Sequence, residues 1–267
     1  MMRGIRHFLV RLASALGYPA MNSSLLAYDN AMIATKSVLA MPRGLIDLNN
    51  LIGRFDLLIL RCAGLVALAS FAAGAVMAMQ FGAGMGRFGA TNYIPSVVAN
   101  SITRALGPML AALMAAARSG GGLAAEIAGM VVTQQIDAIE ALGSDPYRKL
   151  HAPNLFVLIV GLPLLTVVAD IGGLFGGIVI EVTSLNLPFF LAVTKTIRAI
   201  VPLTSMLSIF KTAVAGALIG MIATREGIRA NRGTSSIGTA TTTAVIRATI
   251  AVLVADVFLT KLIWMVR

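Results

Sequence analysis

Carboxylates are scarce in this chain, and several of them lie in one polar segment, residues 118–153. Glu126 and Asp137 are the pair in that segment that would suit acid–base chemistry, in which one carboxyl group donates a proton and the other accepts one. Eleven positions on a helix separate them by about 16 Å along its axis, so they share a face but cannot act on one bond. The segment therefore predicts no catalytic residue.

The same segment predicts a short helix that lies outside the membrane. Good helix formers run from Ala124 to Leu142, and Gly143 followed by Asp145-Pro146 ends the helix. Apolar side chains recur at helical spacing beside polar ones, which suits docking in a groove of a partner protein; a plain solvated connection would show the same pattern. The residues predicted to contact such a partner are Glu126, Val132, Ile136, Asp137, Glu140 and Asp145.

Charged residues inside apolar segments form a second group of interest, which comprises Arg104, Asp170, Lys211 and Asp256. A charge within a membrane span is costly and normally faces protein or water. We expect Lys211 and Asp170 to form an ion pair between neighbouring spans, because a buried charge without a partner is strongly destabilising. The alternative to this structural role is a proton relay.

The elements that hold these residues are predicted to be membrane-spanning helices. Hydrophobic residues make up 58% of the chain and charged residues 12%, whereas soluble domains carry about 25% charged residues. Mean hydropathy is +0.88. We predict an all-α polytopic membrane protein, because each of five apolar blocks is long enough to cross the hydrocarbon as a helix. These blocks are residues 57–81, 94–117, 155–180, 201–223 and 245–266.

The distribution of basic residues predicts the orientation. With the N-terminus in the cytoplasm, twelve Lys and Arg residues fall on the inner side and five on the outer side. Cytoplasmic loops carry the excess of basic residues, so we expect the N-terminus inside, the C-terminus in the periplasm and the polar helix of residues 124–142 in the cytoplasm. A bacterial inner membrane is favoured over an organelle envelope.

Residues 1–54 differ in kind from residues 55–267. Apolar side chains of Arg3–Leu16 share one helical face and arginines lie elsewhere, which is typical of a helix lying in the headgroup plane; an organelle transit peptide is the alternative. A second amphipathic piece, Leu45–Phe55, leads into the first span. The chain is thus predicted to have an interfacial N-terminal region and one membrane domain.

The net charge of +10 and the single cysteine exclude other classes of site. The basic residues lie mainly at the ends of apolar blocks and are not interleaved with aromatic residues, so we expect contact with anionic lipid headgroups and no nucleic acid. Cys62 lies inside an apolar block and has no second cysteine to pair with. No disulfide within the chain and no metal site are predicted.

Short motifs spread over residues 50–267 resemble, in order, those of the MlaE/YrbE family, the permease subunits of MCE-type ABC lipid transporters. The polar segment of residues 118–153 looks like the family's signature. The other matching motifs are Met79-Gln80, Leu106-Gly107-Pro108, residues 115–120, residues 162–166, Lys211-Thr212, residues 238–245 and residues 256–260.

The resemblance implies a homodimer of five-span subunits that pairs with cytoplasmic ABC ATPase subunits and with MCE-domain proteins outside, and that moves phospholipid or a related lipid. The polar helix would then couple to the ATPase. No Gly-Lys dipeptide occurs in the chain, so the phosphate-binding loop of such ATPases is absent from it. No cofactor is therefore expected on this chain, and ATP with Mg²⁺ belongs to the partner. A non-transporting scaffold and an unpowered lipid channel are the alternative functions.

Within that interpretation, the lipid path is predicted at the outer end of the first span, at Val76, Met77, Gln80 and Phe81. Met and Phe side chains give an adaptable apolar lining for acyl chains, although ordinary packing would use the same residues. Glycines spaced four apart in the third span, such as Gly172 and Gly176, allow close helix contact either within a subunit or between subunits. Ala105 stands where the family usually has an acidic residue, which leaves Arg104 without an adjacent carboxylate.

Overall fold

The computed structural model describes residues 48–143, 150–230 and 233–265 and shows helices joined by short turns, with no strand in these ranges. Helix α1, Leu48–Phe55, continues through a π-helical turn at Asp56–Leu60 into α2, Arg61–Gly86. The predicted piece Leu45–Phe55 is thus helical in its described part. The predicted helix Arg3–Leu16 lies outside the described residues.

The second span is a succession of short helices on one axis. A 3₁₀ turn at Thr91–Tyr93 leads into α3, Ile94–Ser101, α4, Gly107–Ala115, and α5, Gly121–Val132, with π-helical turns between them. The continuous stretch has 42 residues. At 1.5 Å per residue it is about 63 Å long, roughly twice the 30 Å of the hydrocarbon layer. One end of this span therefore extends beyond the membrane.

Five further helices complete the described chain. They are α6, Gln135–Ala141, α7, Ala152–Thr183, α8, Phe189–Ala199, α9, Pro202–Ile228, and α10, Ser235–Met265. Five helical stretches are long and apolar enough to cross a membrane, which confirms the prediction of an all-helical chain with five spans. Helix α8 was not predicted, because eleven residues make no span and its sequence mixes apolar and basic residues.

Successive spans run in opposite directions, so the bundle has two ends. The α6 end carries α1, α6, the start of α7 and the end of α9. The α8 end carries the end of α2, the start of α3 and α8 itself.

Helix α7 lies at the centre and packs against α2, α4 and α9. Its glycines allow backbone to touch backbone: a Cβ atom on Gly172 would lie 2.7 Å from the Ala67 carbonyl oxygen, and one on Gly74 would overlap the backbone of Gly173. Small residues are what permit such closeness where lipid provides no hydrophobic drive. Of the two roles left open for these glycines, the structure shows packing within the subunit.

Candidate functional site

The polar segment after the second span contains two helices instead of the single predicted one. Residues 124–132 continue α5, and α6 begins at Gln135 after a break at Thr133 and Gln134. Gln134 adopts a left-handed backbone with φ of 59°. The Thr133 hydroxyl donates a hydrogen bond to the Gly129 carbonyl oxygen at 2.8 Å. The prediction of one helix over Ala124–Leu142 was therefore wrong: residues 124–132 are the end of the second span, with Ala124 and Ile127 in the core, and only α6 is a separate short helix.

The six predicted coupling residues divide between these helices. Glu126 on α5 is held by Arg54 of α1 in an ion pair of 2.5 Å. Val132 ends α5 half-buried, and Ile136 on α6 packs against the core. Asp137 and Glu140 are exposed on α6, and Asp145 lies outside the described residues. The structure thus leaves Asp137 and Glu140 at the surface, while Glu126 joins two helices of the bundle.

A second ion network lies at the α6 end and was missed by sequence reasoning. Arg247 of α10 donates to the Glu226 carboxylate at 2.6 Å, and Arg225 donates to the same oxygen at 3.2 Å. Arg225 and Glu226 are buried. Since α5 packs against both α9 and α10, this network and the Arg54–Glu126 pair fix the helices that carry α6.

Inside the bundle, Lys211 is the centre of a polar cluster. Its Nζ atom lies 2.9 Å from Asp256 Oδ1, and the side chains are 4% and 22% exposed. The same ammonium donates to the Arg104 carbonyl oxygen at 3.1 Å and to Thr260 Oγ1 at 3.3 Å. Three hydrogen-bond acceptors from two neighbouring spans therefore surround one buried cation, as a charge at this depth requires.

The Arg104 carbonyl is available to Lys211 because of a proline. In an α-helix the carbonyl of residue 104 would accept the N–H of residue 108, but Pro108 has none. The backbone turns as a π-helix over Ile102–Leu106, and the freed oxygen accepts from Lys211 and, at 3.4 Å, from Ser208 Oγ. The proline of the Leu106-Gly107-Pro108 motif thus leaves the Arg104 carbonyl oxygen free to accept a hydrogen bond from Lys211 on α9.

Asp170 is not the partner of Lys211, so the predicted pair was wrong. It is buried on α7, and its Oδ1 atom accepts no hydrogen bond in the described structure. This oxygen packs against Gly107, where any Cβ atom would overlap it. One turn away, Thr166 and Thr212 join α7 to α9 by a hydrogen bond of 3.1 Å. Asp256 is the partner because α10 is rotated about its axis so that the Asp256 carboxylate faces α9. The spacing of residues in the sequence does not reveal this rotation.

The space beside Lys211 is small. A cavity of about 10 Å³ is lined by Lys211, Asp256, Pro108 and neighbouring apolar residues. A cavity needs about 10–15 Å³ to hold one water, so this one admits a water at most. The cluster therefore joins three spans and does not itself enclose a lipid.

The predicted lipid-path residues point to two sides of α2. Val76 and Gln80 lie four positions apart on the exposed face, and Met77 is half-buried. Phe81 packs against the smaller core cluster of Ala78, Ile94, Val98 and Ile102. Only Val76 and Gln80 are thus placed to face something outside the subunit.

Comparison with known families identifies the chain. The profile of the family described as "Permease MlaE" matches residues 52–262. The chain belongs to the MlaE permease family. The match includes α2 to α9 and the Lys211 cluster, and it ends within α10 after Asp256 and Thr260.

Relatives of this MlaE-family chain include proteins from bacteria and from a plant. A probable ABC transporter permease protein of Rickettsia prowazekii is 37% identical over 201 residues, 75% of this chain and 78% of its own. One from Synechocystis is 34% identical over 179 residues, 66% and 67% of the two chains. TRIGALACTOSYLDIACYLGLYCEROL 1, a chloroplastic protein of Arabidopsis thaliana, is 26% identical over 230 residues, 86% and 66%.

The MlaE-family chain is therefore a multi-pass membrane protein that resembles ABC transporter permeases. Its Arg104 is half-buried, and its side chain makes no ion pair with any residue that the structure describes. Ala105 beside it is exposed. The cation of the second span thus has no carboxylate partner within the described part of the subunit.

Proposed function

We propose that this chain is the membrane-spanning, non-hydrolytic subunit of an ABC transporter that moves phospholipid or a related lipid between the bacterial inner membrane and an MCE-domain protein. A separate ATPase subunit binds ATP with Mg²⁺ and hydrolyses it. Membership of the MlaE family and similarity to ABC transporter permeases support this proposal. The name of the Arabidopsis relative refers to a galactolipid, which favours a lipid as the cargo.

The observation that carries the proposal is the position of α6. It follows a span about twice as long as the hydrocarbon is thick, and Asp137 and Glu140 are exposed on it. Ile136 holds it to the core, and the Arg54–Glu126 ion pair holds α5 to α1. A protein that pushed on α6 would therefore move the whole second span, because α6 follows α5 directly and both helices are held to the same end of the bundle.

The remaining partners follow from what the subunit leaves uncovered. In their most apolar windows, 28% of the first span and 17% of the fifth are buried, against 50% of the third and fourth. Apolar area of this extent in a transporter subunit suits lipid and a second copy of the chain. We assign Val76 and Gln80 on the exposed face of α2 to the lipid side, and we place α6 and the N-terminus in the cytoplasm.

Charge reversal on α6 tests the coupling role. We expect Asp137→Arg together with Glu140→Arg to abolish ATP-driven lipid transfer and co-purification of the ATPase while the subunit stays folded, because both side chains are exposed and a reversed charge opposes docking. The matched control is Arg87→Glu, an exposed reversal at the α8 end. Transport that survives the double reversal, or an unsubstituted chain that purifies without any ATPase, would favour the scaffold or the unpowered channel.

Labelling of introduced cysteines tests the orientation separately. Cys62 is buried and is the chain's one cysteine, so Cys62→Ala gives a background free of thiols. Ala138→Cys on α6 should react with a membrane-impermeant maleimide only after the cytoplasmic side is opened, and Phe88→Cys at the α8 end should react in intact cells. The reverse pattern contradicts the placement of α6.

A further inference from the structure

A groove at the α8 end has no role in the coupling or in the Lys211 cluster. It is about 450 Å³ in volume and lies between the face of α8 that carries residues 190, 191, 194, 195 and 198 and the first turns of α3, where Ser96 and Asn100 line it. Small-molecule sites span roughly 300–1,000 Å³. The groove is thus large enough for a polar headgroup.

The charge of the groove is basic and unmatched. Lys195 and Arg198 line it, and neither forms an ion pair with a carboxylate among the residues that the structure describes. At the α6 end, by contrast, Arg54, Arg225 and Arg247 each have a carboxylate partner. Two adjacent cations in a cleft with hydroxyl and amide groups are the donor set that a phosphate prefers.

The groove lies at the end of the bundle, where the membrane-spanning helices end. Helix α7 ends at Thr183 and α9 begins at Pro202, so α8 crosses the end of the bundle. Phe190, which lines the groove, is 82% exposed, as residues facing acyl chains are. The Lys195 Nζ atom lies 5.9 Å from the centroid of the Tyr93 ring, and tyrosines of this kind are enriched at the membrane–water interface. Charge and apolar surface therefore meet at this one place.

We propose that this groove binds the phosphate headgroup of a membrane phospholipid. Lys195 and Arg198 hold the phosphate, Ser96 and Asn100 supply neutral polar contacts, and Phe190 lies against the start of the acyl chains. A lipid fits better than an acidic protein segment, because apolar side chains directly beside the cations remain exposed and suit acyl chains. The inference rests on the proposed function only for the choice of a phospholipid as the ligand.

Binding of defined lipids to the purified, delipidated chain tests the proposal. Dioleoyl-phosphatidylglycerol in detergent micelles is titrated and bound lipid is counted by native mass spectrometry, with dioleoylglycerol as the lipid that lacks a phosphate. We expect Lys195→Gln with Arg198→Gln to weaken phosphatidylglycerol binding about tenfold, the loss of one or two charge-assisted contacts. Arg87→Gln, which removes an exposed cation at the same end but outside the groove, should bind as the unchanged chain does.

Two further variants distinguish a loss of lipid binding at the groove from a loss caused by misfolding. Ser96→Phe fills the groove and leaves both cations in place, so it should also reduce binding, whereas Lys195→Arg with Arg198→Lys keeps the charges and should retain it. Equal binding of dioleoylglycerol, unchanged binding by the double glutamine variant, or full displacement by inorganic phosphate would overturn a lipid-headgroup site. No ATPase is present, so this outcome is separate from that of the transport test.

Discussion

The two ends of the bundle treat their charges differently. At the α6 end, Glu126 binds Arg54 and Glu226 binds both Arg225 and Arg247, across helices α1, α5, α9 and α10. At the α8 end, Lys195 and Arg198 line an open groove without a carboxylate partner in the described residues. Paired charges fix helices in one arrangement, whereas unpaired charges at a surface remain free for a ligand. The difference is consistent with the two proposed roles, coupling at the α6 end and lipid binding at the α8 end.

The largest expected effect is at Glu226. Replacement by Gln removes the carboxylate that Arg225 and Arg247 share, and Arg225 is buried. We expect a loss of about 3 kcal/mol in the free energy of unfolding, because removing one charge of a buried ion pair is strongly destabilising. Unfolding of the purified protein by denaturant in mixed micelles measures it. A loss no greater than that of an exposed substitution such as Arg87→Gln would mean that the α6 end is not held by this network.

An intermediate effect on the free energy of unfolding is expected at Asp256. The Lys211–Asp256 ion pair lies in the interior and joins neighbouring helices, as the ion pairs at the α6 end do. Asp256→Asn should cost about 2 kcal/mol, since Lys211 keeps its bonds to the Arg104 carbonyl and Thr260. In a double-mutant cycle with Lys211→Met, the coupling energy should be about 1–2 kcal/mol. The matched cycle of Lys211→Met with Asp170→Asn should show a smaller coupling. Equal coupling in the two cycles would contradict the assignment of Asp256 as the partner.

The smallest expected effect on the free energy of unfolding is at the two cations of the groove, Lys195 and Arg198. Lys195→Gln and Arg198→Gln should each change the free energy of unfolding by less than about 0.5 kcal/mol, as substitutions of cations without an ion-pair partner at a surface do. The same unfolding titration gives the values. A loss comparable to that of Glu226→Gln would show that these cations stabilise the fold, and the groove would then be a structural element.

The five spans could be predicted because lipid imposes long apolar helices, and the structure places all five near the predicted ranges. The break between α5 and α6 could not. Thr133 and Gln134 carry no glycine or proline signal, and Gln134 has a left-handed backbone with a non-glycine residue. Helix propensity alone favoured a continuous helix there. In the structure α5 is packed into the core and ends at Val132, and the chain changes direction before α6.

The charged residues were found by sequence, but their partners were not. Lys211 is separated from Asp170 and Asp256 by 41 and 45 positions, and only the rotation of each helix about its axis selects between them. Glu181 was missed because it follows the predicted third span, yet it is buried at the end of α7. The groove was missed because α8 had not been predicted, and its donors come from helices that are distant in sequence.

The contact of α2 with α7 bears on the proposed transport, because it closes one side of the first span. Where Gly74 meets Gly173 and Gly172 meets Ala67, the two backbones touch with no side chain between them. This contact leaves no room for an acyl chain between spans one and three. A lipid that travels along the first span must therefore use its outer side, where a neighbouring subunit or the bilayer forms the opposite wall.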